Sequence, residues 1–114
     1  MKEVEPNNTI AAAQSIATLP ASVAGALSTT TDTDYFKTTI AAGRTLTAAL
    51  SAGASSAFGL AIYTSAGQQL LLMHGVAGVK QQVQISNAGS ASVQVVVRVL
   101  RSSGSTGAYT LTMN

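Results

Sequence analysis

The stretch from Ser92 to Met113, "SVQVVVRVLRSSGSTGAYTLTM", decides the fold class. Val93, Val95, Val97 and Val99 alternate with Gln94 and Arg98, so the four valines share one face of an extended chain. After the run "SSGSTG", Tyr109, Leu111 and Met113 share a face, and Thr110 and Thr112 take the other. A period of two in Val, Thr and Tyr, broken by Gly and Ser, is the signature of half-buried strands joined by turns.

The pattern extends backwards as far as Ser22. Eight strands are expected: Ser22–Leu27, Asp34–Ile40, Arg44–Ser51, Ala57–Thr64, Gln68–His74, Val79–Ser86, Ala91–Arg101 and Ala108–Met113. The runs "AAGR", "SAGAS", "SAGQ", "HGVAG" and "NAGSA" punctuate them. Within the fourth, Phe58, Leu60 and Ile62 share a face, which leaves Tyr63 on the opposite, exposed side. Short, evenly spaced strands with turn signals specify a sandwich or barrel. The expectation is all-β: an antiparallel β-sandwich of jelly-roll type. Before the strands, Asn8 or Thr9 could cap the alanine-rich "IAAAQSIA", and Pro20 ends it, so one helical turn is expected near residues 9–17. A helix that short must lie on something. Residues 1–114 are therefore read as a single domain, with residues 1–21 an N-terminal segment packed on the sandwich.

Composition narrows the function. A chain of 114 residues fits one domain and can bury roughly two thirds of its unfolded surface. It has no cysteine, so disulfides and thiolate metal sites are excluded. Charged residues are 9% of the chain, against about 25% in an average domain. The surface must be coated by Ser, Thr, Gln, Asn and backbone, a composition that suits a secreted bacterial protein. The five cations after residue 34 are scattered singly, which argues against nucleic acid as a partner. No run of 18 apolar residues exists to span a membrane. Met1-Lys2-Glu3 leads straight into polar sequence, so the chain is expected to be an excised domain with an added Met rather than one led by a signal peptide.

All four carboxylates, Glu3, Glu5, Asp32 and Asp34, lie in the first 34 residues. That part has a net charge of −3, and residues 35–114 have +5. Together with Asn7 and Asn8, these acids supply only oxygen ligands, the set that calcium prefers, in six- to eightfold coordination. Glu3 and Glu5 alternate, so in an extended segment they point to one side, and Asp32 and Asp34 do likewise. A bland reading is also open: Asp32 starts a turn, Asn7 caps the short helix, and Glu3 and Glu5 sit on a solvated end.

Other chemistries lack their residues. His74 is the only histidine, so zinc or a Ser-His-Asp triad would have to recruit it to the distant acids. "GVAGVK" lacks the strand, loop and helix of a phosphate-binding site. Phe36 and Phe58 are expected in the core, and Tyr109 packing at the sheet edge. No catalytic activity is expected.

The order "EPNNT", "AAAQSIATLP", "VAGALS", "DTDYFKTTIAAGRTLTAAL", "LAIYTSAGQQL", "NAGSASVQVVVRV" and "GAYTLTM" resembles the bacterial pre-peptidase C-terminal domain, an accessory module of secreted peptidases. It is also similar to the related collagen-binding domains of clostridial collagenases. The resemblance implies that the N-terminal segment lies across the loop before "DYF", where calcium would clip it to the sandwich through Glu3, Glu5, Asn7, Asn8, Asp32 and Asp34. The family usually has Asp where this chain has Asn8, and an aromatic pair where the penultimate strand reads "SVQVVVRV". The implied role is a monomeric, extracellular, non-catalytic accessory domain that aids secretion, folding or substrate attachment and is open to removal on maturation. Its partners would be the catalytic peptidase domain of the parent chain and an extracellular protein substrate such as collagen. The alternative is a carbohydrate- or matrix-binding module, or a structural spacer, on the same fold. The lack of Trp and the three tyrosines argue against sugar stacking.

Overall fold

Alternating apolar and polar residues give nine strands and no helix in the computed structural model, which describes all 114 residues. They are β1 (Gln14–Ser15), β2 (Ala21–Leu27), β3 (Thr33–Ile40), β4 (Thr45–Ala52), β5 (Ser56–Thr64), β6 (Gln69–Met73), β7 (Gln81–Ser86), β8 (Val93–Gly104) and β9 (Gly107–Met113). One sheet has the order β1-β3-β8-β5-β6 and the other β2-β9-β4-β7. Counted from β2 as the first strand, the sheets run first-eighth-third-sixth and second-seventh-fourth-fifth, which is jelly-roll order. Every strand pair is antiparallel except β1 with β3.

The inner faces meet in one core. Phe36 and Ile40 of β3, Phe58, Leu60 and Ile62 of β5, and Val95, Val97 and Val99 of β8 pack from one sheet. Val23, Leu27, Leu46, Leu50, Leu111 and Met113 pack from the other. Full burial of each such side chain stabilises the fold by roughly 1.5–3 kcal/mol. β5 is buried on its outer face too, because Ala57, Gly59 and Ala61 are small there. A Cβ on Gly59 would strike the carbonyl oxygen of Met73, so glycine is what lets β5 close on the end of β6.

The helical turn expected over residues 9–17 does not form. Two overlapping turns, Ala12 N to Thr9 O and Ala13 N to Ile10 O, are followed at once by β1. The edge of β3 offers open backbone partners, and Gln14 and Ser15 pair in parallel with Phe36 and Lys37. Ala13 and Ile16 are buried there, a tertiary gain that outweighs the helical preference of so short an alanine run. Thr9 does cap the turn, its Oγ1 accepting from Ala12 N at 3.1 Å.

The N-terminal segment straps the sandwich. Residues 1–3 lie parallel to β2, with Ala24 N donating to Met1 O and Glu3 N to Ala24 O. Gln14 holds the crossing, accepting from Val4 N and donating to Lys2 O. The strap thus covers one edge of each sheet, β2 and β3, edges that would otherwise stand open.

Candidate metal centre

The alternation of β3 puts Asp34, Phe36, Thr38 and Ile40 on the buried face and leaves Thr33, Tyr35 and Lys37 half-buried on the other. Asp34 is therefore turned inward at the end of the sandwich, where it is 0% exposed. Its Oδ2 accepts a 2.6 Å hydrogen bond from the Tyr109 hydroxyl, and its Oδ1 has no partner. Burial, with Glu3 and Asp32 beside it, pushes the Asp34 carboxyl up to about 8 against the Tyr109 hydrogen bond, which pulls the other way. Tyr109 is raised as well, first by its own burial and then by the bond to Asp34.

The strap brings three more residues to this point. Asn7 O accepts from Tyr35 N at 2.8 Å, which seats the Asn7 side chain beside the start of β3, also 0% exposed. Asn7 Nδ2 donates to Glu3 Oε2 at 3.3 Å, and Asn7 N donates to Glu5 Oε2 at 3.1 Å. Asn7 Oδ1 is buried without a partner. Glu3 Oε1 accepts from Ala26 N at 2.6 Å, fixing that side chain to β2. Carboxylate oxygens of Glu3, Glu5 and Asp34 all lie within 4.8 Å of one another. At that separation each ionised pair repels by roughly 3–4 kcal/mol for an effective dielectric near 20.

Buried polar atoms in folded proteins are almost always partnered. Here two buried oxygens, on Asp34 and Asn7, lack partners beside converging carboxylates. The donors are all hard oxygens, with no nitrogen or sulfur among them, and this set fits calcium better than zinc or copper.

Asn8 and Asp32 do not join the group. Asp32 Oδ2 accepts from Ser28 N and Ser28 Oγ, and so closes the loop between β2 and β3. With its amide oriented so that the nitrogen faces both acceptors, Asn8 donates to Asp32 Oδ1 at 3.0 Å and to Thr33 O at 2.7 Å. The loop needs an acceptor for its amide, and Asp32 supplies it, so its carboxylate serves the loop and lies outside the group of three. Asn8 and Asp32 thus dock the loop on the strap, and Glu3, Glu5, Asn7 and Asp34 form the cluster.

Tyr109 belongs to this site although sequence placed it at a sheet edge. Its signal was its face: it shares the inward side of β9 with Leu111 and Met113, and a buried tyrosine hydroxyl needs a partner. Gly25, paired with it on β2, makes the room, since a Cβ there would collide with the tyrosine ring. Phe36 and Phe58 are in the core as expected. Tyr63 is half-buried rather than exposed: its hydroxyl accepts from Arg98, which stacks over Tyr35 at 5.5 Å.

The architecture defines a class, the jelly-roll β-sandwich module. Within it, the chain has the fold of a pre-peptidase C-terminal domain. It matches that domain of the collagenase from Bacillus anthracis with a TM-score of 0.68, over 98% of this chain and 100% of that one, at 11% identity. A weaker likeness is to the carbohydrate-binding module TmCBM61 in complex with β-1,4-galactotriose, with a TM-score of 0.43 over 73% of this chain and 63% of that one, at 12% identity. No family model and no curated protein sequence matches the chain. No helix is long and apolar enough to cross a membrane.

Proposed function

We propose that this chain is a non-catalytic accessory domain of a secreted bacterial peptidase, its N-terminal strap clipped to the sandwich by calcium. The observation that carries the metal is the pair of buried, unpartnered oxygens of Asp34 and Asn7 beside the Glu3 and Glu5 carboxylates. Calcium there would offset the repulsion among three carboxylates and satisfy both oxygens. The strap would then be held at both ends, by the cluster and by β1. Fold likeness over the whole chain supports the accessory role, with the catalytic domain of the parent chain as partner and an extracellular setting that supplies calcium. His74 follows β6, three strands from Asp34 across the sheet, or about 14 Å at strand spacing, too far for an acid–histidine relay.

A second reading, a matrix- or carbohydrate-binding module, is favoured by one feature. Tyr35 and Tyr63, with ring centroids 6.1 Å apart, flank Arg98 on the outer face of the five-stranded sheet. Retention on insoluble collagen or polysaccharide, lost in Tyr63→Ala, tests it.

Thermal unfolding with and without calcium tests the first reading. A ligand bound only by the folded state stabilises it by about 2.7 kcal/mol at a hundredfold excess over its Kd. For a domain of this size that raises the melting temperature by roughly 10 °C. Asp34→Ala should remove the effect, and magnesium should substitute poorly, since it resists many-ligand protein cages. An unchanged melting temperature in several millimolar calcium, about the limit for weak extracellular sites, contradicts the proposal.

A further inference from the structure

A cleft of about 450 Å³ opens at the end of β3 away from the acidic cluster. Six residues of strand separate Asp34 from Ile40, or about 20 Å, so the two sites are distinct. Leu19 and Pro20 give the cleft its accessible apolar wall, the buried Ile40 and Leu46 lie beneath its floor, and Thr39 and Arg44 stand on its rim. Its volume lies within the range of about 300–1,000 Å³ typical of small-ligand sites.

The walls are held in place. Thr38 Oγ1 donates to Ile16 O at 3.2 Å, tying the segment before Leu19 to β3. The turn that carries Arg44 is fixed on both sides: Arg44 N donates to Ala41 O at 3.1 Å, and Asn87 N donates to Arg44 O at 2.8 Å. Gly43, at φ 73°, supplies the left-handed residue that this turn requires. The Arg44 backbone is thus preorganised, and its exposed guanidinium is uncommitted. Arg98 and Arg101 hydrogen-bond within the fold, and Arg44 does not. Every side-chain carboxylate of the chain lies between residues 3 and 34, so no acidic side chain faces this positive charge; Asn114, which also lines the cleft, has its backbone N and O paired with Thr47.

An arginine at the mouth of an apolar cleft recognises a carboxylate with two parallel hydrogen bonds, while the apolar walls take what the carboxylate is attached to. We propose that this cleft binds a carboxylate carried on a small apolar group, with Arg44 donating to the carboxylate and Leu19 and Pro20 covering the apolar part. Two sources present that chemistry: the free C-terminus of a peptide ending in an aliphatic residue, and a small branched-chain acid. The assignment does not depend on calcium.

Backbone amide shifts of the ¹⁵N-labelled chain, titrated with three probes, test it. N-acetyl-Ala-Leu with a free C-terminus should shift residues 17–19 and 38–46 saturably, and its C-terminal amide should not. Isovalerate separates the sources: saturation equal to the peptide's supports the cleft as a site for small acids, and much weaker binding supports it as a site for chain ends. Arg44→Gln removes the charge but keeps a polar side chain at an exposed position and should weaken binding at least about tenfold, with the remaining spectrum unchanged. The proposal is overturned by the absence of saturable shifts up to about 20 mM, a generous ceiling for so small a ligand. It is equally overturned if the amide binds as well as the acid, or if Arg44→Gln leaves the titration unchanged.

Discussion

Replacing Asp34 by Asn tests the cluster through its electrostatics. Without a cation, burial, with Glu3 and Asp32, lifts the Asp34 carboxyl from 3.8 to about 8. The folded state then holds a proton that the unfolded chain has released. Metal-free stability is therefore fullest below pH 3.8 and drains away as pH rises to about 8. At about 1.4 kcal/mol per pH unit, the whole window is worth at most about 6 kcal/mol, and the part from pH 5 to 8 about 4. These are upper bounds, because burial is the largest cause of the shift and water entering the cluster would relieve it. Asparagine keeps the shape and an oxygen for the Tyr109 hydroxyl but cannot ionise. Urea denaturation in a chelator should show the wild type losing up to about 4 kcal/mol between pH 5 and 8, with Asp34→Asn nearly flat. At pH 8 in calcium the order should reverse, with a gain in the wild type and little in the variant. Parallel curves for the two proteins in chelator, or equal stabilisation of both by calcium, would refute the reasoning.

Tyr109→Phe keeps the ring but leaves buried Asp34 without its donor, so it should destabilise by about 1.5–3 kcal/mol in urea unfolding. Gly25→Ala should act through the same contact, since its methyl group must displace the Tyr109 ring; a loss of about 1–3 kcal/mol is expected. Gly59→Ala drives a methyl group into the Met73 carbonyl and should cost at least as much, with calcium affinity unchanged. Under chelation, hydrogen exchange should quicken at the amides of Glu3, Ala24, Ala26 and Tyr35, which bond to or along the strap, while β4, β8 and β9 keep their protection.

The sandwich was legible because its signal is local. Val95, Val97 and Val99, or Tyr109, Leu111 and Met113, declare their faces by alternation alone, and Gly- and Ser-rich runs mark where each strand stops. The eight expected strands are β2 to β9, with ends shifted by a few residues. β1 was not legible, because "IAAAQSIA" becomes extended only in the presence of the β3 edge, which lies twenty residues further on. The candidate site was legible in part. Glu3, Glu5 and Asp34 converge, and Asn7 joins them through its bonds to both glutamates. Asp32 and Asn8 carry the same ligand chemistry, yet loop closure at Ser28 claims Asp32, and composition cannot show that competition. Tyr109 reaches Asp34 across 75 residues of sequence, a contact that only the packing of one sheet on the other creates.

A crystal structure of the chain grown in calcium tests the clip most directly. Expected is one ion bonded to oxygens of Glu3, Glu5, Asn7 Oδ1 and Asp34 Oδ1 at about 2.3–2.6 Å, with water completing six to eight ligands. A map in saturating calcium with no ion there, and with the Glu3 and Glu5 side chains turned out into solvent, would contradict it.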